Sequence, residues 1–137
     1  MIITEISKID RLVESVVDSN NDFISVDIND YNLIKAQSSS LKAIELELPE
    51  LSDTTIKSIN EAISEAGRDD ICNVLFHISG NGSSAGVKVS SLQQMQRLLC
   101  LIQDNTGAAN MIWGVSEGNT GSNTIKIKIM IILGYSS

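Results

Sequence analysis

Apolar residues recur at helical spacing in the first segment of the chain. This spacing predicts an amphipathic helix over 2–17 with a broad buried face, formed by the stripe Ile2, Ile6, Ile9, Val13 and Val16. The polar sequence DSNND then ends the helix at 18–22. The next residues, FISV, are briefly extended, and Asp27 can cap a short helix that reaches about Ala36.

Four later segments have the pattern of β-strands. LKAIELEL at 41–48 alternates apolar and polar residues, as a half-buried strand does. ICNVLFHIS at 71–79 is apolar almost throughout, which predicts a strand buried on most of its surface. Two further strands are predicted at 109–116 and 124–133, joined by a hairpin loop with the sequence SEGNTGSN.

Helices alternate with these strands, at 53–66 and 90–104, each with an apolar face and a capping residue at its start. This order predicts an α/β two-layer sandwich. We expect one four-stranded mixed sheet with helices on one face, because the last connection is a hairpin whereas the earlier ones contain helices. The chain contains no repeat or linker that divides it.

Composition and charge narrow the function classes. The chain is 42% hydrophobic and 20% charged, a composition typical of a globular protein. Its net charge of -7 opposes binding to nucleic acid and to anionic membranes. Cys72 and Cys100 each lie in an apolar segment, so we expect two reduced core thiols and a cytoplasmic protein. Neither a targeting signal nor a bilayer-spanning apolar run is visible.

Candidate chemistry is sparse. His77 is the only histidine, and its simplest interpretation is a strand residue whose ring finds a hydrogen-bond partner. One histidine and two distant cysteines also make a zinc site unexpected. GNGSSAG at 80–86 follows a strand but lacks the Gly-Lys-Ser/Thr ending of a phosphate loop, so it is interpreted as a connection.

Asp27 and Asp30 remain as candidate functional residues. An aspartate at the cap position, with an acid three residues later, stabilises a helix start and its positive end. The same two carboxylates could instead perform chemistry. Their spacing alone leaves both interpretations open.

Several segments resemble a known family. FISVDINDY is similar to the segment of the bacterial tubulin homologue FtsZ that reads roughly L-I-N-V-D-F-A-D-V. ICNVLFHISGNG, ANMIWG and TIKIKIMIILGYS resemble three further FtsZ segments in the same order. The chain therefore resembles the C-terminal half of FtsZ, with 1–18 as the end of the central helix and 19–137 as the C-terminal domain. It contains no tubulin-type signature G-G-G-T-G-[ST]-G.

This resemblance implies a mechanism in trans. In the family, one subunit holds GTP and Mg²⁺ in its nucleotide-binding domain, and the aspartate loop of the next subunit completes the active site. Asp27 and Asp30 match the two family aspartates, and Ser25 falls at the family asparagine. The resemblance thus implies catalytic residues acting in trans, no cofactor bound by this chain alone, and an FtsZ-type nucleotide-binding domain or filament end as partner.

Three functions stay open at this point. The first is an FtsZ-like domain that completes, caps or regulates a cell-division filament. The second is a structural module in which the aspartates only cap a helix and the chain self-associates through Ile2, Ile3, Ile6 and Ile9. The third is an unrecognised small-molecule enzyme, disfavoured because nucleophiles and bases are few.

Overall fold

The structure is a computed structural model that describes residues 2–17, 22–24, 28–48, 53–81, 89–107, 110–118 and 127–136. Ten elements follow one another in these described ranges. They are β1 (Ile2–Ile3), α1 (Ile6–Val17), β2 (Asp22–Ile24), α2 (Ile28–Gln37), β3 (Ser40–Leu48), α3 (Asp53–Ala66), β4 (Ile71–Asn81), α4 (Val89–Thr106), β5 (Asn110–Gly118) and β6 (Ile127–Tyr135).

The six strands form one mixed sheet in the order β1-β3-β6-β4-β5-β2. The four predicted strands and the helices α2, α3 and α4 are confirmed within a few residues, and β2 is the extended stretch expected after the first helix. β4 and β5 run parallel, whereas all other neighbouring strands are antiparallel. The sheet is therefore mixed, as predicted, but the described residues form six strands in it rather than four.

The N-terminal end differs from the prediction. Ile2 pairs with Ile44 and Ile3 with Ala43, and α1 begins only at Ile6. The prediction of a helix from residue 2 is therefore wrong for its first turn. Two consecutive β-branched residues favour the extended conformation, and the edge of β3 offers them backbone groups to pair with.

The predicted hairpin between β5 and β6 is wrong. β6 lies between β3 and β4, so the chain passes β4 when it goes from β5 to β6. The connecting residues 119–126 lie outside the described residues. A continuously apolar strand gains most when both of its faces are covered, and this favours a central position for β6 over an edge position next to β5.

Helices cover both faces of the sheet, so the prediction of two layers with helices on one face is wrong. Alternate residues of β6 point in opposite directions. Ile129, Ile131 and Leu133 pack with α3 and α4 in one apolar cluster, here called the α3/α4 face. Met130 and Ile132 pack with α1 and α2 in a second cluster, called the α1/α2 face.

The end of α3 is held by side chains from two strands. Gly67 follows the helix with a φ of 107°, a conformation that glycine adopts without strain. The Lys42 ammonium donates to the carbonyl of Ala66 at 2.5 Å, and the Tyr135 hydroxyl donates to the carbonyl of Gly67 at 2.8 Å. These donors satisfy carbonyls that no helical N–H reaches.

Both cysteines are free. Cys72 is half-buried, whereas Cys100 is exposed on α4, so the prediction of a core thiol is wrong for Cys100. No helix in the described part of the chain is both long enough and apolar enough to cross a membrane.

Candidate functional site

The candidate site lies at the start of α2. This helix begins at Ile28, directly after Asp27, and carries Asp30 in its first turn. A carboxylate in this position interacts favourably with the positive end of the helix. Asp27 and Ser25 themselves lie outside the described residues. The structure thus confirms the predicted short helix and gives the position of Asp30, while the roles predicted for Ser25, Asp27 and Asp30 stay predictions.

One side of α2 packs on the sheet and the other is open. Tyr31 and Ile34 are each only 2% exposed and belong to the apolar cluster of the α1/α2 face. Leu33 is 53% exposed, a high value for a large apolar side chain. Because residues three apart are neighbours on a helix surface, Leu33 lies on the same side of α2 as Asp30. A molecule approaching Asp30 would therefore also meet Leu33.

A carboxylate on α1 ties α2 in place. The Tyr31 hydroxyl donates to Oδ1 of Asp10 at 2.5 Å. The Lys35 ammonium donates to Oδ1 at 3.0 Å and to Oδ2 at 3.2 Å. The hydrogen bonds from Tyr31 and Lys35 hold the pKa of Asp10 below its usual value. Burial and the hydrogen bond to Asp10 raise the pKa of Tyr31, so the phenol stays protonated.

Polar residues of β4 also point toward the α1/α2 face. Asn73 is 2% exposed, and its amide accepts a hydrogen bond from Asn110 on β5 at 3.0 Å. Its Nδ2 lies 3.5 Å from the Ser38 hydroxyl, just beyond the end of α2. Ser38 is also close to Gly134, where an added Cβ would collide with the serine hydroxyl. Asn73 therefore connects two strands to the end of α2.

His77 is buried on the same face, between Gly114 of β5 and Met130 of β6. Its Nε2 has no hydrogen-bond partner, so the expectation that the ring finds one is wrong for this atom. Burial lowers the pKa of His77 to about 4, because the charged imidazolium is poorly solvated there. The imidazole is neutral at pH 7.

The described residues offer little other chemistry. No group of three or more His, Cys, Asp or Glu side chains among them is placed to hold a metal ion. Trp113 is half-buried and packs against the α3/α4 cluster. A shallow groove follows the outer side of α4, lined by Gln96, Arg97, Cys100, Leu101 and Asp104.

The contacts of Asp10, Tyr31 and Lys35 were not predicted from the sequence. Residues four apart, such as Tyr31 and Lys35, share one side of a helix, so their spacing is compatible with a common partner. Nothing in the pattern pointed to Asp10 as their partner, since it lies 21 residues before Tyr31. Only the packing of α1 beside α2 brings the three together.

Comparison with known proteins supports the fold. No known family model and no curated protein sequence matches the chain. An empty FtsZ dimer from M. jannaschii is similar, with 15% identity and a TM-score of 0.62 over 90% of this chain and 34% of that chain. A structure of GDP-form protofilaments of TubZ from Bacillus thuringiensis serovar israelensis is also similar. It has 13% identity and a TM-score of 0.56 over 96% of this chain and 36% of that chain.

A third similar structure is GDP-bound CetZ1 from Haloferax volcanii, with 11% identity and a TM-score of 0.54 over 96% of this chain and 39% of that one. At these identities the similarity establishes the fold alone, and the fold is tubulin-like. The chain spans between 34% and 39% of the length of these three structures.

Proposed function

We propose that the chain is an FtsZ-like C-terminal domain that pairs with a tubulin- or FtsZ-type GTP-binding domain and offers its aspartates to GTP hydrolysis in trans. One observation carries this proposal. Asp30 lies in the first turn of a helix that begins directly after Asp27, within a tubulin-like fold. The resemblance of FISVDINDY to FtsZ assigns the two family aspartates to these same positions.

The chemistry of this helix start suits the proposed role. A carboxylate close to the γ-phosphate orients or polarises the attacking water. GTP and Mg²⁺ would be held by the partner domain, and carboxylate oxygens are ligands that Mg²⁺ accepts. Asp30 is half-buried and not enclosed in the core, so a partner can reach it. The N-terminal end of α2 adds a favourable potential for phosphate oxygens.

Exposure near Asp30 supports docking at this position. Leu33 would supply an apolar contact beside the carboxylate, and such contacts contribute most where the partner excludes water from them. The similar structures include an FtsZ dimer and TubZ protofilaments. By analogy, docking of this chain would complete, cap or regulate a cell-division filament.

The proposal is tested by adding the purified chain to an FtsZ protein with GTP and measuring phosphate release and filament assembly. We expect the chain to change both. The double variant Asp27→Asn and Asp30→Asn should stay folded, because asparagine caps a helix nearly as well as aspartate. It should lose any stimulation of GTP turnover, because asparagine supplies neither the negative charge nor a base.

The matched control is Asp69→Asn with Asp104→Asn, which removes two negative charges from exposed positions elsewhere. This control should behave as the parent chain. If the parent changes neither turnover nor assembly, the proposal fails for that partner. If both double variants lose the effect equally, overall charge explains it and the aspartates do not act in trans.

Self-association is a second candidate function, favoured by the exposure of Leu33 and of Ile6, which is 44% exposed. The surface predicted for it is partly wrong, because Ile9 is fully buried and Ile2 and Ile3 are half-buried. Under this alternative Asp27 and Asp30 only cap α2 and contribute about 0.5 to 2 kcal/mol to folding. Sedimentation that shows a monomer at all concentrations would exclude it.

A further inference from the structure

We propose that Asp10, Tyr31 and Lys35 form a clamp that sets the orientation of the first turn of α2, and with it the direction in which Asp30 is presented to a partner. This inference rests on the proposed function, which it extends to three positioning residues outside the aspartate segment. None of the three touches the nucleotide. They act through Asp30.

The clamp has two attachment points one helical turn apart. Tyr31 and Lys35 both donate to the carboxylate of Asp10, at distances of 2.5 Å from the hydroxyl and 3.0 and 3.2 Å from the ammonium. A single contact would leave α2 free to turn about it. Two contacts separated by four residues resist both rotation about the helix axis and sliding along it. The Lys35 ammonium also lies 5.8 Å from the centre of the Tyr31 ring, which adds a cation–π attraction.

Apolar packing alone would not supply this restraint. Tyr31 and Ile34 bury one side of α2 against the sheet. The free energy gained by this burial is roughly proportional to the apolar area removed from water and depends little on the direction of the contacts. Hydrogen bonds depend on direction and weaken steeply when misaligned. The bonds to Asp10 therefore select one rotation of the helix among those that bury a similar area.

The position of Asp30 depends directly on that rotation. Asp30 precedes Tyr31 by one residue, so it lies about 100° around the helix from the clamped tyrosine, on the flank away from Lys35. Side-chain atoms lie roughly 5 to 6 Å from the axis, so a rotation of about 10° would move the carboxylate by about 1 Å. Misplacement of a reacting group by 1 Å can reduce a rate about a hundredfold.

The test compares two tyrosine variants that make the same chemical change. Tyr31→Phe removes the hydroxyl that binds Asp10 and keeps the ring in the core. Tyr135→Phe removes a hydroxyl that binds the carbonyl of Gly67 beside α3, on the opposite face of the sheet. GTP turnover by an FtsZ protein is measured against increasing concentrations of each chain, which separates maximal stimulation from the concentration that gives half of it.

We expect Tyr31→Phe to lower maximal stimulation about tenfold or more, with the half-maximal concentration changing less than about threefold. Tyr135→Phe should change neither quantity. Lys35→Met should behave as Tyr31→Phe does, and Lys35→Arg should restore most of the stimulation, because arginine keeps the charge and its donors. Equal behaviour of the two tyrosine variants would overturn the clamp as a positioning device.

A second measurement tests the effect of the clamp on Asp30 in the absence of a partner protein. The backbone amide and side-chain carboxyl of Asp30 are followed by NMR in the isolated chain. Lys35→Met, five residues from Asp30, should shift these signals, whereas Tyr135→Phe should leave them in place; unchanged signals in Lys35→Met would refute the clamp. If the parent chain does not alter GTP turnover but the signals shift as expected, the trans-acting function fails and the orienting role of the clamp stands.

Discussion

The two faces of the sheet differ in what they bury. Among the described residues, the buried side chains of the α3/α4 face are mostly apolar, and the buried Thr106 donates to the carbonyl of Ile102 in its own helix at 2.7 Å. The α1/α2 face buries Asn73 and His77 beside its apolar cluster. At its rim, Asp10 binds Tyr31 and Lys35. One strand, β4, supplies residues to both faces by simple alternation.

This difference shows that one small domain can combine a face stabilised mainly by apolar burial with a face that also contains buried polar side chains. Apolar contacts on the α3/α4 face stabilise the fold through the surface area that they bury, and they depend little on direction. Polar contacts on the α1/α2 face contribute less free energy each, yet they satisfy their partners in one arrangement only. Asp30 lies on a helix of this second face. The face that carries the proposed function is therefore also the face that buries Asn73 and His77.

The largest expected effect tests whether each face has its own helices. Phe76 and Leu75 are adjacent on β4, fully buried, and point to the α3/α4 and α1/α2 faces respectively. Phe76→Ala should cost about 3 to 5 kcal/mol and Leu75→Ala about 2 to 5 kcal/mol, through lost burial and cavity formation. Hydrogen exchange should show a loss of amide protection mainly in α3 and α4 of the Phe76→Ala variant. In the Leu75→Ala variant the loss should lie mainly in α1 and α2. The same protection pattern in both would contradict two separate faces.

A smaller loss of folding stability should appear on acidification, caused by His77 on the α1/α2 face. The folded pKa of His77 is about 4, below the ordinary value of 6.5. Between pH 6.5 and 4 the unfolded chain therefore binds a proton that the folded chain does not, so this contribution to stability falls as the pH falls. The total loss is at most about 3 kcal/mol. Denaturant unfolding at pH 7, 6, 5 and 4 measures it.

The control for this prediction is His77→Met, which keeps an adaptable side chain and removes the titration. Its stability should change less between pH 6.5 and 4 than that of the parent. Asp10 does not contribute to this pH dependence above pH 4. Its pKa is lowered from 3.8, so its contribution to folding stability is lost only at still lower pH. An identical pH dependence in the parent and in His77→Met would show that the imidazole is not responsible.

The smallest effect concerns the polar contacts of β4. Asn73→Ala removes the acceptor of Asn110 and the neighbour of Ser38. The cost should be about 1 to 3 kcal/mol, because polar groups around a buried site lose their partners. Asn60→Ala on α3 removes a more exposed acceptor, bound by Arg68 at 2.7 Å, and should stay within about 0.5 kcal/mol of the parent. Equal costs would mean that burial of Asn73 contributes nothing.

Local patterns predicted most elements of the fold. Alternation of apolar and polar residues identified β3, and a nearly continuous apolar run identified β4. α3 matched its predicted bounds. The prediction failed where neighbours decide the outcome. Ile2 and Ile3 pair with β3 instead of opening a helix, because an isolated segment does not reveal the free strand edge beside it.

The candidate site follows the same division. The sequence by itself determined that a short helix follows Asp27 and that Asp30 lies in its first turn, because caps, turns and helical spacing depend on residues close together in the chain. It also indicated that β4 is buried on most of its surface, through its run of apolar residues. Only the tertiary structure decided that β6 lies between β3 and β4, that helices cover both faces of the sheet, and that Asp10 holds Tyr31 and Lys35. These contacts join residues far apart in the chain, and their free energy depends on packing that no local pattern contains.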